Sequence, residues 1–138
     1  MKINKIDHIS IAVKNLAEAK KVWEPILGKD KPDDAYIDES EKINVARYWL
    51  SGVGFELMES TTLDGEVAKF IEKRGEGIML ISLNVDNTRE AIDELEGKDY
   101  PFIGGARTFQ DCEFAFIHPK KVNGVLLELI DYKWDELK

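Results

Sequence analysis

The sequence predicts an α+β fold built of two tandem β-α-β-β-β modules. Two observations carry that reading: the chain repeats itself at one fixed offset, and each copy runs from a strand-like stretch directly into a capped helix. Displaced by 72 positions, residues 6–24 align with 78–96, and eight of the nineteen pairs are identical: Ile6/Ile78, Ile9/Ile81, Ser10/Ser82, Val13/Val85, Asn15/Asn87, Glu18/Glu90, Ala19/Ala91 and Glu24/Glu96. The same offset, without a gap, sets GVGFELME (52–59) on GVLLELID (124–131). Two blocks that share one displacement mark a duplicated module.

The elements follow in the same order in both copies. Residues 5–13 (KIDHISIAV) and 78–85 (IMLISLNV) alternate in the manner of strands with one buried face. Asn15 and Asn87 come next, each with a glutamate three residues on (Glu18, Glu90), so capping-box-like starts predict helices over 16–24 and 88–96. Pro25 and Gly28 mark the expected end of the first helix and Gly97 that of the second. Strand-like segments then fall at 35–37, 45–50 and 55–59, and in the second half at 102–103, 113–117 and 125–130. The expected organisation is one domain over 1–138, with modules 1–62 and 77–132 joined by a linker helix over 64–75.

Alternation assigns the faces. Ile9, Ile11 and Val13 oppose His8, Ser10 and Ala12; in the copy, Ile81, Leu83 and Val85 oppose Leu80, Ser82 and Asn84. The aliphatic side is the one for a helix to cover. The side with His8, Ser10, Ser82 and Asn84 is left to line a concave or wet surface, which makes both serines candidate substrate contacts. Trp23 and Trp49 are read as core-filling.

Composition narrows the function classes. A hydrophobic fraction of 43% with 33% charged residues is that of a soluble globular protein, and no apolar run reaches the length of a bilayer span. The net charge of −8 argues against nonspecific nucleic-acid binding, which needs clustered cations. Cys112 is the single cysteine, so neither an internal disulfide nor a cysteine-based structural zinc site is available. With no secretory leader evident, a cytoplasmic location is expected.

The offset also pairs His8 with Leu80 and Glu56 with Glu128. A glutamate repeated inside two apolar strands, FELM and LELI, is unusual: a carboxylate among hydrophobic neighbours costs several kcal/mol unless paired, hydrated or metal-bound. Equivalent positions near a pseudo-two-fold axis converge, so His8, Glu56 and Glu128 form the candidate site.

DHISIAV at the start and GVLLELID near the end, on this duplicated framework, resemble the vicinal oxygen chelate (glyoxalase/bleomycin-resistance/extradiol dioxygenase) superfamily. AKFIEKRGEGI, FIHPK and GVLLEL are similar to its methylmalonyl-CoA epimerase branch and to glyoxalase I-like (lactoylglutathione lyase) proteins. The resemblance implies a half-open mixed β-barrel around a central cavity and a divalent metal ion, Zn, Ni, Co or Mn. His8, Glu56 and Glu128 fall on three of its four ligand positions, and Leu80 occupies the fourth.

It further implies enolate chemistry on a CoA thioester, with Glu128 as ligand and base. For the opposite face of the carbon, Tyr48, Glu39 and Glu113 are weak candidates. Lys120 in FIHPKK is placed near the substrate by the resemblance, and Arg107 is expected at the cavity mouth. The expected partner is a small molecule, a CoA thioester or thiol adduct, with a homodimer reasonable on exposed sheet edges. The alternatives are a lactoylglutathione lyase-like activity on a hemithioacetal and a non-catalytic binding member whose metal site is degenerate. An extradiol dioxygenase is disfavoured, because its two-His, one-carboxylate iron site needs the histidine that Leu80 replaces.

Overall fold

A computed structural model describes residues 1–133. It contains eight strands and three α-helices. They are β1 (Ile3–Ala12), α1 (Leu16–Leu27), β2 (Asp34–Asp38), β3 (Ile43–Leu50), β4 (Val53–Ser60), α2 (Glu66–Arg74), β5 (Gly77–Val85), α3 (Thr88–Glu96), β6 (Arg107–Phe109), β7 (Cys112–Ile117) and β8 (Leu126–Ile130). The α+β class and the twice-written β-α-β-β-β order are those the repeat predicts. The described residues form two compact units, one of Ile9–Met79 and one of Met1–His8 together with residues 80–133, so the boundary falls within β1 and β5.

In the Ile9–Met79 unit the strand order is β2-β3-β4-β1. A two-residue turn, Ser51 (φ 51) and Gly52 (φ 84), joins β3 to β4. Positive φ at both central positions is the turn that matches the twist of a hairpin. It locks the antiparallel register that sets Tyr48 against Phe55 and Arg47 against Glu56. One face packs on α1: Ile11, Val13, Ala46, Tyr48 and Leu57 form the core with Leu16, flanked by Ala19, Trp23, Leu27 and Phe55. Trp23 lies 5.0 Å from the Phe55 ring, as a core residue should.

The other unit has the order β1-β5-β8-β7-β6. Here β5 runs parallel to β8, pairing Leu80 with Leu126 and Ser82 with Glu128. β7 lies antiparallel to β8, pairing Phe116 with Glu128. Leu83, Val85, Leu127 and Leu129 pack beneath Ala91 and Leu95 of α3. Asp131 anchors that helix: its Oδ2 accepts from Thr88 N at 3.0 Å and its Oδ1 from Glu113 N at 2.8 Å.

Both helices start as predicted. Asn15 Oδ1 accepts from Glu18 N at 3.0 Å and Asn87 Oδ1 from Glu90 N at 2.9 Å. Pro25 does not stop α1. It sits in the final turn, where it forfeits one hydrogen bond, and the helix closes at left-handed Gly28 (φ 69), with Lys29 N bonded to Glu24 O. Residues 102–103 are not a strand; Phe102 makes only an isolated bridge to Ile117, and the strand lies later, at Arg107–Phe109. Among the described residues no helix is long and apolar enough to cross a membrane.

Because each asparagine satisfies a donor that the first helical turn leaves open, Asn15→Ala and Asn87→Ala should each cost about 1 kcal/mol in urea unfolding. A loss below about 0.3 kcal/mol at both would show that packing, not capping, sets the helix starts.

Candidate functional site

In the unit that contains His8 and Glu128, a polar chain begins at Asn4. Asn4 Nδ2 donates to Asn84 Oδ1 at 3.1 Å, and Asn84 Nδ2 donates to Asp7 Oδ2 at 2.8 Å. Asp7 Oδ1 lies 2.7 Å from His8 Nδ1, and His8 Nε2 lies 3.1 Å from Glu128 Oε1. Asp7, His8, Asn84 and Glu128 are all buried. Asp7, which already takes a hydrogen bond from Asn84, accepts from His8 Nδ1–H and so orients the ring with Nε2 toward Glu128.

The contact between Nε2 and Oε1 has ion-pair distance without hydrogen-bond alignment. Among the described residues, Glu128 Oε1 and Ser82 Oγ are each buried with no hydrogen-bond partner. These two side chains are direct register neighbours on β5 and β8. One can donate and the other can accept, and each costs stability while unsatisfied. On β7 the neighbour of Glu128 is Phe116, an aromatic ring with the Arg107 guanidinium 5.1 Å above it. Phe116 meets Phe114 edge-on at 5.7 Å. Leu80 is buried and pairs with Leu126, two positions before the Ser82–Glu128 pair, on the same strand face.

The other unit treats its equivalent glutamate differently. Glu56 Oε2 receives Arg47 Nε at 2.5 Å, and Glu56 Oε1 receives Ser10 Oγ at 2.9 Å. Arg47 is only 2% exposed. Its NH2 donates to Tyr36 Oη at 2.8 Å, and its guanidinium lies 5.1 Å from the Tyr36 ring and 5.5 Å from the Trp49 ring. Burial opposes its charge, yet the facing Glu56 carboxylate, with Tyr36 and Asp34, holds its pKa above the ordinary value. Trp49, expected in the core, is instead half-buried beside this cation.

The remaining expected residues are exposed or engaged elsewhere in their own units. Ser10 spends its hydroxyl on Glu56. Lys120 is an exposed member of a 3₁₀ turn, Pro119–Lys121, and its N–H donates to His118 Nδ1 at 3.0 Å. Of the three opposite-face candidates, Tyr48 is buried and donates to Glu24 at 2.8 Å, and burial with that bond raises its pKa. Glu113 is held by Arg89 at 2.7 Å, and Glu39 is an exposed turn residue. None suits a substrate-facing base. Asp7, Arg47 and Phe116 were not among the residues singled out by pattern.

Whether a divalent ion fits can be tested on the donor set. Ligands about 2.1 Å from an ion and at right angles to each other stand about 3 Å apart, so His8 Nε2 and Glu128 Oε1 suit two neighbouring positions. Leu80 offers no donor, however, and both Glu56 oxygens are engaged by Arg47 and Ser10. Among the described residues no group of three or more His, Cys, Asp or Glu side chains is arranged to hold a metal ion. The four-ligand centre implied by the resemblance does not fit these residues.

Two outcomes follow from the burial of these groups. Removing the unsatisfied Ser82 hydroxyl in Ser82→Ala should stabilise the fold by about 1 kcal/mol in urea unfolding; a loss of that size would mean the hydroxyl has a partner. Burial, reinforced by Asp131 and Asp111, pushes the Cys112 thiol up to about 12. At pH 8 it should therefore stay unreactive toward a disulfide reagent in the native protein and react fully once unfolded. Equal rates in both states would contradict this.

The family model of the Glyoxalase/Bleomycin resistance protein/Dioxygenase superfamily matches residues 7–116. The uncharacterized protein YqjC of Bacillus subtilis is 32% identical, over 97% of this chain and 96% of its own length. Human mitochondrial methylmalonyl-CoA epimerase is 28% identical, over 92% of this chain and 73% of that protein. The crystal structure of methylmalonyl-CoA epimerase from Mycobacterium tuberculosis matches with a TM-score of 0.88 at 27% identity, covering 96% of this chain and 90% of that one. The duplicated β-α-β-β-β framework is thus that of its relatives, and the chain belongs to the Glyoxalase/Bleomycin resistance protein/Dioxygenase superfamily.

Proposed function

We propose that this chain is an epimerase of 2-carboxyacyl-CoA thioesters, of which methylmalonyl-CoA is the type. The observation that carries the proposal is the adjacent pair of buried atoms, Ser82 Oγ and Glu128 Oε1, that make no hydrogen bond among the described residues. A donor and an acceptor left open side by side are the two groups that enolisation asks for. The similarity to methylmalonyl-CoA epimerases supports the substrate class.

The α-hydrogen of such a thioester is acidic because the electron pair of its C–H bond can move onto the thioester oxygen. Glu128 takes the proton, and the enolate forms as the C–H pair becomes the new C=C bond. Ser82 O–H donates to the oxygen that gains charge, an interaction stronger in the transition state than in the ground state. A proton delivered from solvent water to the opposite face inverts the centre, and Glu128 gives its own proton up to water to complete the cycle. His8, held by Asp7, lies against one side of the Glu128 carboxylate, 3.1 Å from its Oε1. The Arg107 guanidinium above Phe116 suits the substrate's free carboxylate. No step here is routed through a metal ion, since the donor set does not complete a centre.

The test is deuterium incorporation at C2 of methylmalonyl-CoA in D₂O, followed by proton NMR. Wild-type protein should exchange the position, Glu128→Gln should slow exchange at least about 100-fold, and Ser82→Ala should slow it by about the same factor. An unchanged rate in Glu128→Gln would overturn the assignment. A second reading, a binding protein that kept the face without turnover, is favoured by Leu80 in the histidine position. Calorimetric binding of methylmalonyl-CoA with no exchange would select it, and turnover of a methylglyoxal–thiol adduct instead would select the lyase alternative.

A further inference from the structure

The resemblance gives the fourth-strand carboxylate to a metal ion. We propose instead that Glu56 is the permanent counter-ion of Arg47, and that this guanidinium holds the place at Glu56 that a divalent cation would take, closing it to metal.

The geometry is built rather than incidental. The tight turn at Ser51 and Gly52 fixes the register that faces Arg47 with Glu56, so the pair is set by the hairpin itself. Every side of the guanidinium has a partner: Nε and NH2 toward Glu56 Oε2 at 2.5 Å, NH2 toward Tyr36 Oη at 2.8 Å, and NH1 toward Asp34 Oδ2 at 3.5 Å. Tyr36 and Trp49 add aromatic faces at 5.1 and 5.5 Å. Ser10 occupies the other carboxylate oxygen at 2.9 Å. An arginine cannot relieve crowding by losing its proton, so a dication bound to Glu56 would meet a fixed positive charge in a buried, poorly screened setting.

Among the described residues, no arginine faces the equivalent carboxylate across its neighbouring strands. Glu128 faces Phe116 and Ser82 across its two neighbouring strands, and its Oε1 accepts no hydrogen bond. The duplication therefore keeps two glutamates in equivalent positions and gives them different work. One balances an arginine, and the other stays available. Leu80 closes a further position by offering no donor.

This inference does not depend on the epimerase reading, because it is read out by metal binding alone. Chelator-treated wild type, E56Q, R47Q and the R47Q/E56Q double variant would be titrated with Co²⁺ and Zn²⁺ by calorimetry, with circular dichroism to check folding. Wild type and E56Q should agree within about twofold, including the case in which neither binds. R47Q should gain at least about tenfold in affinity, and the gain should vanish in R47Q/E56Q. A tenfold loss of metal affinity in folded E56Q would overturn the proposal. So would a folded R47Q with no gain, or a gain that survives the second substitution. Should R47Q fail to fold, the comparison of wild type with E56Q decides the matter alone.

Discussion

A carboxylate inside a sheet has to be neutralised or put to use, and the Arg47–Glu56 ion pair is how one half of this chain meets that constraint. Removing one member of such a buried pair typically costs about 3–5 kcal/mol, because the other is left as an uncompensated charge. The surrounding residues are arranged accordingly. Ser10 covers the second carboxylate oxygen, Tyr36 and Asp34 take the remaining arginine donors, and Trp49 lies beside the cation. On the opposite side of the same strands, Tyr48 and Leu57 pack against α1. The ion pair and the apolar core are thus two faces of a single hairpin.

The unit with Glu128 meets the constraint in another way. Its polar groups are ordered in a line, from Asn84 to Asp7 to His8, and the line ends at a carboxylate oxygen that makes no hydrogen bond among the described residues. Leaving that oxygen and the Ser82 hydroxyl open lowers stability, and natural folds retain such a cost where function needs it. Phe116 and Phe114 keep the surroundings apolar, which strengthens any electrostatic interaction made there. The same reasoning links packing to chemistry: strand pairing holds a donor and an acceptor in fixed register.

Much of this was readable in the residues. The offset of 72 positions gave the repeated order of elements, and the asparagine–glutamate spacing gave both helix starts, because capping is a local interaction. Pro25 misled, since a proline in the last turn forfeits little, and Gly28 was the real stop. The short strand at Arg107–Phe109 was missed because three residues carry no period. For the site, alternation set His8 and Ser82 opposite the aliphatic side of their strands, and the offset paired Glu56 with Glu128. The role of Glu56 was not seen, although the signal was present: Ser51-Gly52 between two strand-like runs is a two-residue hairpin turn, and counting back from it sets Arg47 opposite Glu56. No such count was possible for Glu128. The link from β7 to β8 passes through the Pro119–Lys121 turn, so only the folded register shows that Phe116 stands across from it.

The central claim is that two equivalent glutamates have parted in function, Glu56 bound up in structure and Glu128 open to ligand. Carbon-13 NMR of protein labelled at the glutamate side-chain carboxyls, titrated with methylmalonyl-CoA, tests this most directly, with E56Q and E128Q spectra assigning the two resonances. The Glu128 carboxyl should shift on binding while the Glu56 carboxyl stays in place. A Glu56 resonance that moves while Glu128 remains still would contradict the account.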